Sequence, residues 1–306
     1  MVKGPMIAAD HLEVLLNRNL GEVCRKGKLL AEGLLLARED YDSDFIIVFS
    51  DVAVDAEAFG VELEYFPHVN PQPLKHLNSD EFKIVDIPSS GRFPELFRAG
   101  EICRKELGDD FPIFMSMKEP FTLAAMAHNP EVFLSYLISD PSRAKDMIEI
   151  CCDNQLNTVK TIAEAGFIPF IGAPISSADM IGAKYFSEFV EPYLARLRDA
   201  VRESGSFACL HICGNVKPLT ERLKALKLDL LSIEDRGAVF ELKNSEKTII
   251  MGVISTNLFI FGDEIQIQDA VRDTFEIMPE PFVLSTGCDI PAKAKPHLVK
   301  AMMEAD

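Results

Sequence analysis

Short apolar runs alternate with longer segments of helical periodicity through most of this chain, and this alternation constrains the fold more than any other feature. Seven of the short runs are rich in β-branched and aromatic residues, a pattern that predicts strands. These runs are Phe45–Phe49, Pro112–Met115, Phe167–Ile171, Phe207–His211, Leu228–Ile233, Thr248–Met251 and Phe282–Ser285. Strands that alternate with helices form a parallel sheet whose faces the helices cover. Val61–Phe66 predicts either a further strand or half of a hairpin appended to the first strand.

Apolar residues at helical spacing mark segments between the strands. One stripe predicts a helix over 186–201, a second predicts a helix after Gly262-Asp263, and Asn215 is well placed to cap a third. The stripes consist of Phe186, Phe189, Val190, Tyr193, Leu194, Leu197 and Val201; of Ile267, Ala270, Val271, Phe275 and Met278; and of Val216, Leu219, Leu223 and Leu226. Each predicted helix therefore has one face to bury against the sheet.

Seven or eight strand–helix units follow one another without an obvious linker. This favours a closed (β/α)₈ TIM barrel, in a single domain over residues 1–306, rather than a doubly wound sheet. No Gly-x-Gly-x-x-Gly follows a predicted strand, so a dinucleotide-binding fold lacks its main motif. In a barrel the carboxyl ends of all strands lie on one rim, and active sites are built there.

The charge balance excludes two classes of partner. A formal net charge of −17 over 306 residues opposes binding to nucleic-acid phosphates and to anionic membrane surfaces. No apolar run approaches the length needed to span a bilayer, and the amino terminus does not have the pattern of a signal peptide. We therefore expect a cytoplasmic protein.

The seven cysteines are an odd number scattered along a long chain, which is typical of a reducing compartment. Cys24, Cys103, Cys151 and Cys152 fall within helical patterns, and we expect them to be packing residues because free cysteine is among the most buried residue types.

Two of the remaining cysteines and one histidine form a predicted metal site. His211 and Cys213 end one predicted strand, and Cys288 follows the last strand, 75 residues after Cys213. Residues two apart on a strand point to the same face, so His211 and Cys213 can bind one ion at the rim. Imidazole and thiolate are the ligands that zinc prefers, and three ligands without a fourth predict an open, catalytic zinc. The alternative is that these are packed core residues, as we expect for Cys209.

Polar residues after other strands are further candidates. Glu234 could fill the fourth zinc position until a substrate displaces it, although a solvated loop carboxylate is an equal alternative. Ser177, Asp179 and Asn257 lie at strand ends and are candidates for orienting a substrate, against the alternative of solvated loops. A zinc ion bound by two thiolates and an imidazole is a weak Lewis acid, but it leaves a bound substrate thiolate electron-rich. Such a site suits alkyl transfer to sulfur better than hydrolysis.

At these residues the chain resembles the uroporphyrinogen decarboxylase superfamily, and within it the zinc-dependent corrinoid methyltransferase branch, which includes methylcobamide:coenzyme M methyltransferases. The metal pattern of that branch, His-x-Cys with a distant Cys, matches His211, Cys213 and Cys288. The similarity extends over most of the chain. It also covers Phe49-Ser50-Asp51-Val52, Glu119-Pro120-Phe121-Thr122-Leu123-Ala124, Phe186–Tyr193, Gly214-Asn215 and Ser285–Pro291.

The resemblance implies a (β/α)₈ barrel and a methyltransferase of one-carbon metabolism. It implies a methyl-corrinoid donor, a Zn²⁺ ion held by His211, Cys213 and Cys288, and an acceptor such as a coenzyme M-like thiol or tetrahydrofolate. It also places Glu234 where an acid occupies zinc before the thiol arrives. Asp51 matches a decarboxylase position that contacts pyrrole nitrogens, with a structural hydrogen bond as an equal alternative.

Two departures from the family pattern bear on function. The chain has no Trp and no amino-terminal Arg-Gln-Ala-Gly-Arg segment, which the decarboxylases use to bind a substrate with many carboxylates. It also lacks a corrinoid-binding Asp-x-His-x-x-Gly motif, so a separate corrinoid protein or free methylcobalamin must present the methyl group. A metal-independent decarboxylase and a non-catalytic corrinoid- or tetrapyrrole-binding protein remain alternative functions.

Overall fold

A computed structural model of the protein describes residues 1–243 and 247–305. Its strands, numbered in chain order, are β1 Val2–Lys3, β2 Ile46–Val48, β3 Glu62–Glu64, β4 Gln72–Lys75, β5 Ile113–Lys118, β6 Ile168–Gly172, β7 Cys209–Ile212, β8 Leu230–Ile233, β9 Ile249–Ile254 and β10 Phe282–Thr286. Eight of them form one parallel sheet in the order β1-β10-β9-β8-β7-β6-β5-β2. All seven predicted strands are confirmed within a few residues of their expected bounds.

Backbone hydrogen bonds join the two ends of this sheet. The amide of Asp44, just before β2, donates to the carbonyl of Lys3 in β1 at 2.9 Å, and the Lys3 amide donates to the Asp44 carboxylate at 2.8 Å. The sheet therefore curls into a (β/α)₈ barrel of the TIM type, as the alternation predicts. Strand β1 was missed because two residues are too few to show an alternating pattern.

The barrel interior is filled by inward-facing side chains from its strands. This inner layer is formed by Met6, Phe45, Ile47, Phe170, Cys209, Leu230, Met251 and Val283. It closes the barrel below the carboxyl ends of the strands, so a ligand can approach only from the rim.

Helices surround the barrel and bury their apolar stripes against it. They are α1 Ala9–Leu16, α2 Leu20–Val23, α3 Gly27–Tyr41, α4 Val54–Phe59, α5 Phe93–Leu107, α6 Pro120–Ala127, α7 Pro130–Ser139, α8 Pro141–Glu164, α9 Gly182–Phe189, α10 Glu191–Glu203, α11 Thr220–Leu226, α12 Arg236–Leu242, α13 Leu258–Phe261, α14 Glu264–Ile277 and α15 Pro296–Glu304, with 3₁₀ turns at Ser79–Glu81, Ile87–Ser89 and Lys217–Leu219. None of the helices in the described part of the chain is both long and apolar enough to cross a membrane.

Two helix predictions need correction. The stripe over 186–201 is buried as expected, but it belongs to two helices, α9 and α10, which are separated at Val190. Pro192 causes the break, because a proline in the helix interior lacks an amide donor and clashes with the carbonyl four residues earlier. Asn215 does not cap α11, which starts at Thr220. The Asn215 side-chain oxygen accepts from the Lys217 amide at 3.2 Å, at the start of the 3₁₀ turn that precedes α11. The Asp235 carboxylate also accepts there, from the amides of Val216 and Lys217 at 3.1 and 3.0 Å.

Two other local predictions are confirmed. The helix after Gly262-Asp263 is α14, and Asp263 and Gln266 form a reciprocal capping box at its start. Strand β3 pairs antiparallel with β4, so Val61–Phe66 contributes half of an appended hairpin rather than a barrel strand.

Candidate metal centre

Strand β7 brings His211 and Cys213 to the mouth of the barrel. Alternation along β7 points Cys209 and His211 into the barrel, and Cys213 follows directly after the strand ends. Gly214 then turns the chain with a φ of 69°, a left-handed conformation that glycine adopts without strain. The turn leaves the Cys213 thiol beside the His211 ring.

Strand β10 brings Cys288 to the same place, because a close backbone approach positions the loop that carries it. A Cβ atom at Gly287 would lie 2.9 Å from the Cα of Glu234, which follows β8, the strand on the far side of β9. Only glycine permits this approach, so Gly287 fixes the Cys288 loop against the rim.

The three predicted zinc ligands form one compact cluster. The distance from His211 Nε2 to Cys213 Sγ is 3.0 Å, from Cys213 Sγ to Cys288 Sγ 3.6 Å, and from Cys288 Sγ to His211 Nε2 3.7 Å. A tetrahedral zinc spaces nitrogen and sulfur donors about 3.5 to 3.8 Å apart. Two sides of the triangle match this spacing, and the third needs to open by only about 0.5 Å. The donor set and its geometry therefore fit a zinc ion with three protein ligands.

A second layer orients the His211 ring. Its Nδ1 lies 3.0 Å from the hydroxyl of Ser232 on β8, and that hydroxyl donates to the sulfur of Met6 at 3.4 Å. Because Nδ1 donates to Ser232, Nε2 presents its lone pair to the thiols, as a metal-binding imidazole requires. Phe170 stacks on the ring with an interplanar angle of 16°. Sequence reasoning did not find Ser232, although it occupies an inward position of β8.

The two thiols of the cluster differ in acidity. The hydrogen bond from Cys288 lowers the pKa of Cys213 below its ordinary value. The same hydrogen bond, burial and the Asp289 carboxylate raise the pKa of Cys288. Thiolate is the form that binds metals, so Cys213 is ready to bind, and a cation in the cluster would favour ionisation of Cys288.

The other cysteines are packing residues, as predicted. All of them are buried, and burial raises their pKa values. Cys209, two residues before His211, belongs to the inner layer of the barrel and is not part of the cluster.

Glu234 lies at the rim but outside the triangle. It follows β8, and its Cα, Cβ and Cγ atoms pack against Gly287 beside Cys288. Among the described residues, the donor atoms that lie within 4.8 Å of one another are those of His211, Cys213 and Cys288, without the Glu234 carboxylate. Asp289 is the acid next to the cluster, with its carboxylate 3.1 Å from the Cys288 thiol, and sequence reasoning missed it.

Asp51 is enclosed in an ion-pair cluster. Its side chain is fully buried, and Arg92 donates to both of its carboxylate oxygens at 2.6 and 3.1 Å. Ser50 also donates to it at 2.7 Å. Although burial opposes ionisation, Arg92 and these hydrogen bonds hold the pKa of Asp51 below its ordinary value. The geometry favours a structural role for Asp51, which the sequence analysis gave as the alternative to contact with a substrate.

The three residues predicted to orient a substrate lie away from the pocket. Asp179 accepts hydrogen bonds from the backbone and side chain of Asn215 at 3.0 and 3.3 Å. Ser177 packs 3.2 Å from the position that a Cβ of Gly214 would take, and Asn257 is exposed at the start of α13. Ser177 and Asp179 thus support the loop that follows Cys213.

A pocket opens over the cluster. Its walls are largely apolar, and they include all three zinc-ligand candidates together with Lys118, Ser116 and Asp289. Its other lining residues are Met6, Ile7, Ile47, Phe49, Val52, Phe170, Gly172 and Pro174. Sequence reasoning gave Lys118 no role. The alternation of Phe114, Ser116 and Lys118 along β5 is the signal that places it inside the barrel.

The family model for uroporphyrinogen decarboxylase (URO-D) matches residues 6–305. The chain belongs to the uroporphyrinogen decarboxylase family. Within this family the chain is similar to the methylcobamide:CoM methyltransferase MtbA of Methanosarcina mazei, with 24% identity over 83% of this chain and 76% of the relative. It is also similar to a uroporphyrinogen decarboxylase of Anaeromyxobacter dehalogenans, with 22% identity over 93% of this chain and 86% of the relative.

A solved structure supports the family fold. The structure of a methyltransferase from Methanosarcina mazei matches with a TM-score of 0.87 at 22% identity, and the match covers 97% of this chain and 91% of that chain. The barrel is therefore shared over nearly the whole length of both proteins.

Proposed function

We propose that this protein is a zinc-dependent methyltransferase that moves a methyl group between a methyl-corrinoid and an acceptor such as a thiol. The observation that carries the proposal is the triangle of His211 Nε2, Cys213 Sγ and Cys288 Sγ at the base of an open pocket. Three ligands of this type leave one zinc position for a substrate, whereas structural zinc sites are closed by four protein ligands.

The donor set favours chemistry on sulfur. Zinc held by two thiolates and one imidazole is a weak Lewis acid, but it lowers the pKa of a bound thiol and keeps the resulting thiolate in place. His211, Cys213 and Cys288 hold the ion, and Ser232 orients the His211 ring. The acceptor loses its proton and forms a bond to the methyl carbon, while the bond from that carbon to cobalt breaks and leaves its electron pair on cobalt.

The roles of the remaining predicted residues belong to the same proposal. Glu234 flanks the Cys288 loop, and in this proposal its carboxylate fills the fourth zinc position until the acceptor displaces it. Asp51 keeps the loop after β2 in place through Arg92, and Ser177 and Asp179 support the loop after Cys213. A contribution of these residues or of Asn257 to substrate orientation is a secondary part of the proposal.

The methyl donor comes from outside the chain. The sequence has no corrinoid-binding motif of its own, so a separate corrinoid protein or free methylcobalamin brings the methyl group to the mouth of the barrel. The likeness to MtbA of Methanosarcina mazei supports this donor class, although 24% identity does not fix the acceptor, for which thiols and tetrahydrofolate are both candidates.

Decarboxylation is the weaker alternative. The family match and the decarboxylase relatives favour it, but no arginine is found among the described residues that line the pocket. A substrate with many carboxylates needs several cationic partners. A corrinoid-binding protein without catalytic activity is the remaining alternative, and tight cobalamin binding without demethylation by any acceptor would favour it.

The test is the demethylation of methylcobalamin by the zinc-loaded protein, followed by absorbance, with thiols and tetrahydrofolate as acceptors. Cys213→Ala removes a ligand, so the zinc affinity and the rate of transfer should both fall by more than about a hundredfold. That factor is the upper end for losing a residue that only orients a ligand. Cys209→Ala, two residues before His211 on the same strand, is the matched control and should keep both. Full transfer by a zinc-free Cys213→Ala protein would contradict the proposal.

A further inference from the structure

Lys118 is a buried cation that projects into the pocket. It ends β5, it is 3% exposed, and it lines the same pocket as His211, Cys213 and Cys288. Its ammonium contacts the hydroxyl of Ser116 at 3.3 Å and lies 4.8 Å from the centroid of the Phe49 ring. Neither contact supplies a negative charge.

The strand register directs this side chain towards the zinc ligands. Lys118 pairs with Gly172 on β6, and Gly172 pairs with His211 on β7. Strands lie about 4.8 Å apart, so the Cα atoms of Lys118 and His211 are roughly 10 Å apart at the same height in the barrel. A Cβ at Gly172 would lie 3.6 Å from both Cδ and Nζ of Lys118. Because Gly172 has no side chain, the ammonium extends across β6 towards His211.

The backbone of Lys118 is held firmly from the outer face of the barrel. Its amide donates to the Asp55 carboxylate at 2.9 Å, and its carbonyl accepts from the Gln155 amide at 2.8 Å. Asp55 contacts the Lys118 backbone and Gln155, and it forms no salt bridge with the ammonium. The lysine is preorganised, with its stem fixed and its charge inside the pocket.

The charge of Lys118 has no counter-ion among the residues that the structure describes. No carboxylate of residues 1–243 and 247–305 comes within 4.0 Å of its ammonium. The chain satisfies its other buried cation differently, since Arg92 contacts both Asp51 and Glu57. A buried charge without a partner lowers the stability of the fold. The chain does not lack acidic residues that could pair with it, since they outnumber basic residues by 48 to 31. An anion from a ligand would complete the site.

We propose that Lys118 selects the methyl acceptor by charge, binding an anionic group at the far end of a small thiol whose sulfur reaches the zinc position. This inference rests on the proposed function and assigns a specificity-determining residue to it. The chemistry of recognition is that of a carboxylate, sulfonate or phosphate accepting from an ammonium in a largely apolar pocket. The roughly 10 Å between the strands of Lys118 and His211 limits the acceptor to a short chain.

The experiment compares thiols of similar length and different charge. Zinc-loaded protein is assayed with methylcobalamin and 3-mercaptopropionate, 2-mercaptoethanesulfonate or 2-mercaptoethanol, and the binding of each thiol is measured by calorimetry. Wild-type protein should prefer the charged thiols. In Lys118→Met the ratio of kcat/KM for charged over neutral thiols should fall about ten- to hundredfold, mainly through KM, as expected for a lost hydrogen bond to a charged group. The relative affinities from calorimetry should fall by the same factor.

Lys145→Met is the matched control. Lys145 also lies over a phenylalanine, with its ammonium 5.3 Å from the Phe189 centroid, but it is exposed on the outside of the barrel and paired with Glu188. This variant should keep the wild-type ratio. The melting temperature separates a binding role from a structural one, because removing an unpaired buried charge should leave Lys118→Met at least as stable as wild type.

Any of three results would overturn the inference. The first is an equal loss with charged and neutral thiols. The second is a rise in KM for methylcobalamin alone, which would place the anion on the donor. The third is an unchanged ratio, whether or not the melting temperature falls. If wild-type protein transfers no methyl group to any thiol, the proposed function fails, and calorimetry with 3-mercaptopropionate still decides whether Lys118 binds the anion.

Discussion

Two buried polar clusters at the mouth of the barrel differ in how completely the protein satisfies them. In the cluster around Arg92, the guanidinium contacts the carboxylates of Asp51 and Glu57, and each charge has a partner of opposite sign. In the pocket over the metal centre, His211, Cys213 and Cys288 point their donor atoms at one another. The Lys118 ammonium has a hydroxyl and a ring beside it, and no carboxylate of the described residues.

This difference indicates which cluster stabilises the fold and which cluster binds a ligand. A satisfied cluster rigidifies the fold, and removing one partner exposes the other to the full cost of an unpaired buried charge. An incompletely satisfied cluster contributes little to stability, and a fold retains it where a ligand completes it. We therefore expect changes in the Arg92 cluster to affect stability and changes in the pocket to affect ligand binding.

The largest effect is expected from Asp51→Asn. Arg92 would lose a bidentate buried partner, so the free energy of unfolding should fall by about 3 to 5 kcal/mol in a urea titration, while the zinc content of the folded protein stays the same. A loss of methyl transfer without a loss of stability would contradict this assignment and favour a catalytic Asp51.

The same variant has a signature in its dependence on pH. The folded protein holds the pKa of Asp51 below its ordinary value, so the pair stabilises the fold above about pH 4, and this contribution is lost as the pH falls further. Wild-type protein should therefore lose stability more steeply than Asp51→Asn as the pH falls below about 4.

A smaller effect is expected from Ser232→Ala. This change removes the hydroxyl beside His211 Nδ1 and leaves the ring free to turn, so the zinc affinity should fall by about ten- to a hundredfold. Competition with a chelator measures it. Ser50→Ala, which removes a hydroxyl from the Arg92 cluster, is the control and should keep the zinc affinity. Equal zinc affinity in both variants would refute the role of Ser232.

The sequence predicted the parts of the molecule that depend on regular patterns. The alternation of strands and helices indicated the barrel, and in a barrel His211 and Cys288 share a rim despite their separation along the chain. The pattern of helical spacing did not reveal the break at Val190, because it depends on where Pro192 falls within a turn. Strand β1 is too short to carry a pattern. The single domain over residues 1–306 and the cytoplasmic location stay predictions.

The parts of the site that the sequence did not predict depend on side-chain contacts between distant elements. Ser232, Lys118 and Asp289 lie on different strands or loops, and their importance comes from what they face in the closed barrel. Asp51 illustrates the opposite case, since its motif suggested a role in the pocket, whereas Arg92, 41 residues later, engages its carboxylate. A local motif does not show which distant residue pairs with a polar side chain in the folded protein.

X-ray absorption at the zinc edge of the purified protein tests the central claim most directly. We predict one zinc per chain with two sulfur ligands at about 2.3 Å and two lighter ligands at about 2.0 Å, one of them His211 and the other Glu234 or water. Adding an acceptor thiol should replace one light ligand with a third sulfur. A protein that binds no zinc, or a zinc whose ligands do not change when the thiol is added, would contradict the account.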